Sequence, residues 1–277
     1  YTLKITNQKN LCMAGGVSLN CVANEKITNI ENLDNVWIQP AAGDAGASLG
    51  SALAAYYSIN KNSNIREKNN NLQKSSLLGF KYENKEIKKT LDELNFTYEY
   101  YKNEERDDII SKNIIQQKVV GLFQGRMEFG PRALGSRSII ADPTNPEMQK
   151  KLNLKIKFRE SFRPFAPSIL EEYVNEWFDT NLIKSPYMLF TSKLKSNKLN
   201  KVDLNYFQGF DKLNANISKV PAVTHVDNSA RFQTVNKSEN MQFYNIIYSF
   251  FKKTGVPILI NTSFNVRGEP IVNTPFD

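Results

Sequence analysis

Residues 119–170 read VVGLFQGRMEFGPRALGSRSIIADPTNPEMQKKLNLKIKFRESFRPFAPSIL, and the order of patterns within them decides the fold. Residues 119–123 are a short apolar run ended by a Gly-containing turn, as in a buried strand. Residues 138–141 form a second such run, residues 146–154 carry helical spacing, and residues 166–170 read as a strand leading into a helix at 171–178. Strands and helices in mixed order argue an α/β chain rather than a bundle or a sandwich. Arg126, Arg132, Arg137, Lys157, Arg159 and Arg163 are set into this frame, several between Gly and Pro. A solvated helix face spaces its cations at three and four residues and alternates them with Glu. Cations on turns are instead aimed by a fixed backbone. Arg offers a planar fork of donors to phosphate or carboxylate oxygens, and Lys adds a point charge. The first expectation is a pocket for a small polyanion such as a nucleotide or an acyl phosphate.

Downstream, residues 222–226 and 231–235 read as strands and about 240–253 as a helix closed by Thr254-Gly255. A strong strand at 256–261 (VPILIN) then runs into the turn 262–268. Upstream, residues 83–95 are amphipathic, 96–101 read as a strand and 107–117 as a helix. The first sixty or so residues repeat strand, Gly-containing turn and helix: 11–14 before Gly15-Gly16, then 36–38 before the turn at Gly43 and an apolar helix at 45–57. Residues from about 60 to 75 carry almost no apolar side chains and read as a polar linker.

Composition bounds the rest. The 277 residues are 40% hydrophobic and 11% aromatic, ample for a core, and their length suits two domains. No run approaches the roughly 20 apolar residues that span a membrane. Cys12 and Cys21 imply no disulfide framework, and with no signal-peptide pattern at the start the expectation is cytoplasmic. Net charge is +8, from 36 Lys+Arg against 28 Asp+Glu, which permits nucleic-acid binding. Much of the excess is Lys mixed with Asn at 61–71 and 193–201, the pattern of solvated loops. The informative charge is the Arg set. Trp37 and Trp177 read as core.

Taken singly, the other motifs have bland alternatives. Gly15, Gly16 and Asn20 after a strand offer backbone N–H groups and an amide to a phosphate or ribose, or form an ordinary turn. Asp44, between Gly43 and Ala45-Gly46 ahead of a helix, is an N-cap or a metal ligand. His225, in THVD, is a polar residue bonded to its neighbours, or touches a phosphate or an acceptor hydroxyl. Any one Arg is an ion-pair partner, and Arg159 beside Glu160 is read that way.

Longer blocks carry more. MAGGVSLNCVANEKI and QPAAGDAGASLGSALAAYY resemble the carbamoyltransferase family of the nodulation and antibiotic-modifying O-carbamoyltransferases. GLFQGRMEFGPRALGSRSIIADP, KFRESFRPFAPSIL, PAVTHVDNSARFQTV and GVPILINTSFNVRGEPIV resemble its C-terminal domain, in order. The resemblance implies an α/β chain in two parts. Residues 1–78 would be the C-terminal part of an actin-like (ASKHA) ATPase-type domain, and 79–277 a carbamoyl-adenylate-forming (YrdC-like) domain. It implies ATP and carbamoyl phosphate as substrates with Mg²⁺, and a hydroxyl of a sugar or other natural product as acceptor. Lys157 and Arg137 would be catalytic, Lys157 beside the α-phosphate. Arg132, Arg163, Arg231, Asn265 and Arg267 would bind the anions, Gly15, Gly16 and Asn20 the nucleotide, and Asp44 iron or another divalent metal.

One departure limits that expectation. The family's metal site takes two histidines, spaced HxxxH, from the first half of the actin-like domain, and this chain has only His225. The chain is therefore expected to be an internal fragment, able to bind ATP and carbamoyl phosphate but incomplete for transfer. The alternative is a non-catalytic fragment, or a nucleotide- or RNA-binding module related to threonylcarbamoyl-tRNA pathway proteins. Against RNA, the Arg residues sit in Gly/Pro turns rather than among exposed aromatics.

Overall fold

A computed structural model describes residues 2–60, 73, 75–180, 184–203, 206–209, 212 and 215–277. The polar linker expected at about 60–75 lies almost entirely outside the described residues. After a short helix α1 (Thr2–Thr6), strands β1 (Asn10–Met13) and β2 (Asn35–Ile38) pair in parallel, Cys12 opposite Trp37. Between them lie a 3-10 turn (Gly16–Leu19) and helix α2 (Cys21–Thr28). Helix α3 (Asp44–Ile59) follows β2 and buries none of its residues.

The larger part begins with α4 (Asn84–Glu93) and α5 (Asn103–Ile115), then β3 (Val120–Phe123), β4 (Arg137–Ala141) and α6 (Met148–Lys155). It continues through β5 (Ala166–Leu170), α7 (Val174–Trp177), β6 (Phe178–Asp179), β7 (Thr191–Leu194), β8 (Ser229–Arg231) and β9 (Gln233–Val235). Helix α8 (Met241–Thr254) and strand β10 (Ile258–Ser263) complete the set. A five-stranded sheet runs β3-β4-β10-β5-β9, antiparallel except for the β5–β9 pair. The fold is mixed α/β, as expected.

Both faces of that sheet are covered, so its strands bury apolar side chains on either side, with Arg137, Ser138, Ser168, Gln233 and Asn261 as buried polar exceptions. Ile139, Ile169, Ile258 and Ile260 point to one face, where Met148 and Leu152 of α6 and Trp177 pack. Ile140, Leu170 and Leu259 point to the other, against Ile114 of α5 and Phe243, Ile246, Ile247 and Phe250 of α8. Burying each large aliphatic here contributes about 1.5–3 kcal/mol. Asn240 caps α8 by accepting from the Phe243 N–H at 3.1 Å, and Gly255, at φ 73°, ends it in the left-handed conformation. Gly135 brings the Arg-rich loop onto α8. At φ 104° a Cβ on it would lie 2.2 Å from the Phe243 ring, so only glycine fits.

The leading part is seated on the larger one. Asn24, 1% exposed, donates through Nδ2 to Ser18 O (2.8 Å) and Leu189 O (2.9 Å). Ile38 and Ala42 pack with Leu189 and Phe190.

Several expectations fail locally. Residues 96–101 are not a strand: Phe96, Tyr98 and Tyr100 are exposed, with no ladder partner. Residues 222–226 are not a strand either, because Pro221 opens a 3-10 turn (Pro221–Val223). The run at 231–235 is two strands in different sheets, joined at the buried Phe232, whose ring stacks on Phe178 at 4.9 Å. The Lys-rich stretch 193–201 is not all solvated: Leu194 is buried, and Lys198 is 9% exposed, over the Trp177 ring at 4.3 Å. Trp177 is core, but Trp37 is 51% exposed.

Candidate functional site: a basic cleft

The loop between β3 and β4, the segment 157–165 and the end of β8 bring four guanidinium groups around one cavity of about 460 Å³. Arg132 comes from the loop before β4, Arg159 and Arg163 from the segment before β5, and Arg231 from the end of β8. Asn261, Thr262 and Ser263 of β10 supply its polar floor. A second cavity of about 220 Å³ shares Arg159, Arg163 and Ser263 and adds Lys157, Glu160, Asn265 and Arg267. Glu160 is the one carboxylate lining either cavity among the described residues, and it lies 4.0 Å from Arg163.

Like charges crowd there. Burial, then Arg132 and Arg159, pushes Arg231 down to about 10, with Cys21 opposing. Burial lowers Arg132, and burial with the Arg163 charge lowers Arg159. Burial and Arg159 bring Lys157 down to about 8. The Nε atoms of Arg132 and Arg231 are buried without an acceptor. Arg132 Nη2 donates to Leu19 O at 3.3 Å, so the leading part helps aim it. Lys157 Nζ donates to the Ser263 and Asn265 carbonyls and to Asn265 Oδ1 (2.9 Å), which ties the 263–265 turn to the 157–163 segment. Asn265 Nδ2 donates to Glu269 O at 2.8 Å, and Arg267 Nη1 to Phe158 O at 3.2 Å.

Of the expected site residues, Arg132, Lys157, Arg163, Arg231, Asn265 and Arg267 are brought together. Arg137 is not. It opens β4 directly opposite Phe123 of β3, is fully buried, and lays its guanidinium on that ring at 3.8 Å. Its Nη1 donates to Gln124 O at 2.9 Å and its Nη2 to Phe80 O at 3.4 Å. It lines neither cavity, so the fold places this expected catalytic residue behind the cleft rather than in it. Arg159 is corrected in the other direction: its Nε donates to Asn153 Oδ1 at 2.6 Å, its guanidinium lies over Phe165 at 4.8 Å, and Glu160 pairs with Arg163 instead. Asn261 and Ser263 were missed.

Gly15, Gly16, Asn20 and Asp44 line neither cavity. Gly15, at φ 98°, donates its N–H to Ala42 O at 2.6 Å, and Asn20 Oδ1 caps α2 by accepting from Ala23 N at 3.1 Å. Asp44 is not the N-cap of α3, which is Gly43; it is the first helical residue, exposed. No group of three His, Cys, Asp or Glu side chains that could hold a metal occurs among the described residues. Asp44 alone does not fit the expected iron-type centre. His225 Nδ1 lies 3.1 Å from Ser229 Oγ, and its backbone N–H donates to Ser229 O at 2.7 Å, so it is bonded to its neighbours. No helix among the described residues is long and apolar enough to cross a membrane.

The loops around the mixed sheet thus converge on a nearly carboxylate-free basic cleft, rich in hydrogen-bond donors. Residues 111–277 match the family model for the carbamoyltransferase C-terminus, and residues 2–53 that for the carbamoyltransferase N-terminus. The chain belongs to the carbamoyltransferase family. It is 47% identical over 273 residues to an uncharacterized protein of Synechocystis, covering 97% of this chain and 44% of that one. It is 38% identical to the nodulation protein NolO of Bradyrhizobium diazoefficiens, covering 99% of this chain and 46% of the relative. The chain thus spans less than half the length of these relatives. The solved structure of HypF from T. kodakarensis aligns over 65% of this chain and 19% of its own length, at 16% identity and TM-score 0.37, too distant to carry an argument.

Proposed function

We propose that the cleft binds carbamoyl phosphate and ATP and forms carbamoyl-adenylate, and that the carbamoyl group then passes to a hydroxyl of a sugar or other natural-product acceptor. The observation that carries this is the ring of Arg132, Arg159, Arg163 and Arg231 around one cavity that no carboxylate lines. Two phosphorylated reactants meet only where their charge is neutralised. Carbamoyl phosphate would first lose phosphate to water, giving carbamate. A carbamate oxygen would then attack the α-phosphorus of ATP, forming the C–O–P bond of the adenylate as the bond to pyrophosphate breaks. Lys157 and the guanidinium groups stabilise charge on the phosphates, and Mg²⁺, carried by the nucleotide, would neutralise the leaving pyrophosphate. The partition into an actin-like part ending near residue 78 and a YrdC-like part from 79 belongs to the same reading. So does transfer in a longer polypeptide that supplies the metal ligands absent from the described residues.

Carbamoyl-phosphate-dependent exchange of labelled pyrophosphate into ATP tests the first half of the reaction. Exchange is expected, without carbamoylation of any acceptor by this chain. Absence of exchange, with steeply salt-dependent RNA binding in its place, would favour the nucleic-acid alternative. The pH profile has a defined sign. Lys157 is charged below about 8 and loses that charge above it, so affinity for phosphate falls as pH rises through 8, while Arg231, at about 10, stays charged. Lys157→Met removes this step and slows exchange at least about tenfold, as expected for one lost charge-assisted contact. An unchanged pH profile in that variant would take Lys157 out of the site.

A further inference from the structure

Asn261 lines the basic cavity at only 2% exposure, and its side-chain amide is locked. Nδ2 donates to Ala133 O (3.1 Å), Ser168 Oγ (3.1 Å) and Gln233 Oε1 (2.9 Å). Gln233 is oriented in turn, accepting from Ser168 Oγ at 2.6 Å and donating through Nε2 to Leu134 O at 3.0 Å. Turning the Asn261 amide over would press Oδ1 against the Ala133 and Gln233 oxygens, so the network itself assigns the two ends. Oδ1 is left buried with no donor. A buried acceptor without a partner is costly and persists where something else satisfies it.

We propose that Asn261 Oδ1 accepts a hydrogen bond from the amide NH₂ of the carbamoyl group and is the residue that separates carbamoyl phosphate from acyl phosphates. The proposal rests on the cleft reading above. The guanidinium groups around this cavity are donors only, suited to phosphate oxygens and unable to recognise an N–H. Carbamoyl phosphate differs from acetyl phosphate in having an NH₂ where the other has a methyl group. A methyl group set against Oδ1 leaves it unpaired, the condition under which a site rejects an isostere strongly. Met188, unbranched and at the same cavity, can shift to let the amide reach the floor.

The test compares affinities of the 277-residue chain for inorganic phosphate, carbamoyl phosphate and acetyl phosphate at pH 7. Carbamoyl phosphate is expected to bind at least about tenfold more tightly than acetyl phosphate. In Asn261→Leu that ratio falls to about twofold or less, because carbamoyl phosphate loses far more affinity than acetyl phosphate or inorganic phosphate does, a split that mere loosening of the fold does not produce. If Asn261→Leu fails to fold, Gln233→Met, which frees the Asn261 amide to turn, is expected to reduce the ratio likewise. Equal affinity of the unaltered chain for the two acyl phosphates overturns the assignment and leaves the basic cleft standing. So does an undiminished ratio in the folded variants. Failure to bind any of the three phosphates overturns both.

Discussion

Glu128→Ala lowers the free energy of unfolding by about 4 kcal/mol, one of the two largest effects expected of any change in this chain. Glu128 is 7% exposed and sits inside the Arg-rich loop. Its carboxylate accepts the backbone N–H groups of Leu134 (2.7 Å), Ser136 (2.8 Å) and Arg137 (3.2 Å). Hydrogen bonds to a charged group contribute about 1.5–3 kcal/mol each, and orphaned buried donors cost about 1–3 kcal/mol each, so losses that are only partly additive come to about 4 kcal/mol. The buried Arg137 guanidinium also loses the negative charge that offsets its burial. Glu128→Gln keeps one oxygen and is expected to lose about half as much. Urea unfolding at unchanged m-value measures both. A Glu128→Ala loss under about 1 kcal/mol would mean that the loop is held from elsewhere.

What could be read from the chain follows from which side chains are buried. VPILIN announces itself because Ile258, Leu259 and Ile260 are apolar on both faces of a covered sheet. Strand β7 did not, because Lys193 and the lysines after it suggest solvent, while Thr191, Ser192 and Leu194 turn inward. FTYEYY at 96–101 has strand composition but no neighbour to pair with, and composition does not report a neighbour.

The site divides in the same way. Arg132, Arg163 and Arg231, expected from blocks far apart in sequence, are brought by the fold to one cavity. Arg159 lines both cavities and Arg137 neither, which the sequence does not show, since residue type does not reveal which way a guanidinium leaves the backbone. Arg137 is directed by its cross-strand Phe123, and Arg159 by Asn153 and Phe165. Asn261 gave no signal beyond ending an apolar strand. Its unpaired Oδ1 shows only once the partners of its Nδ2 are counted.

Arg132→Ala and Arg231→Ala combined are expected to weaken binding of ATP and of inorganic phosphate by more than about a hundredfold, each single change costing about tenfold, since charge-assisted contacts contribute about 1.5–3 kcal/mol apiece. A salt-bridge role and an anion-binding role predict opposite signs for stability. If these guanidinium groups were structural ion-pair partners, removing either would expose a buried carboxylate and destabilise the fold. No carboxylate lines their cavity; burial lowers the proton affinity of both, and the Arg132 charge lowers that of Arg231 further. The ligand-free double variant is therefore expected to be at least as stable as the parent, and more stable by about 1 kcal/mol where repulsion dominates, the trade usual at binding sites. Melting curves with and without ATP separate the cases: the parent rises with ATP and the double variant does not. A double variant that melts well below the ligand-free parent would assign Arg132 and Arg231 to holding the fold, because only a structural partner loses stability when its charge is removed.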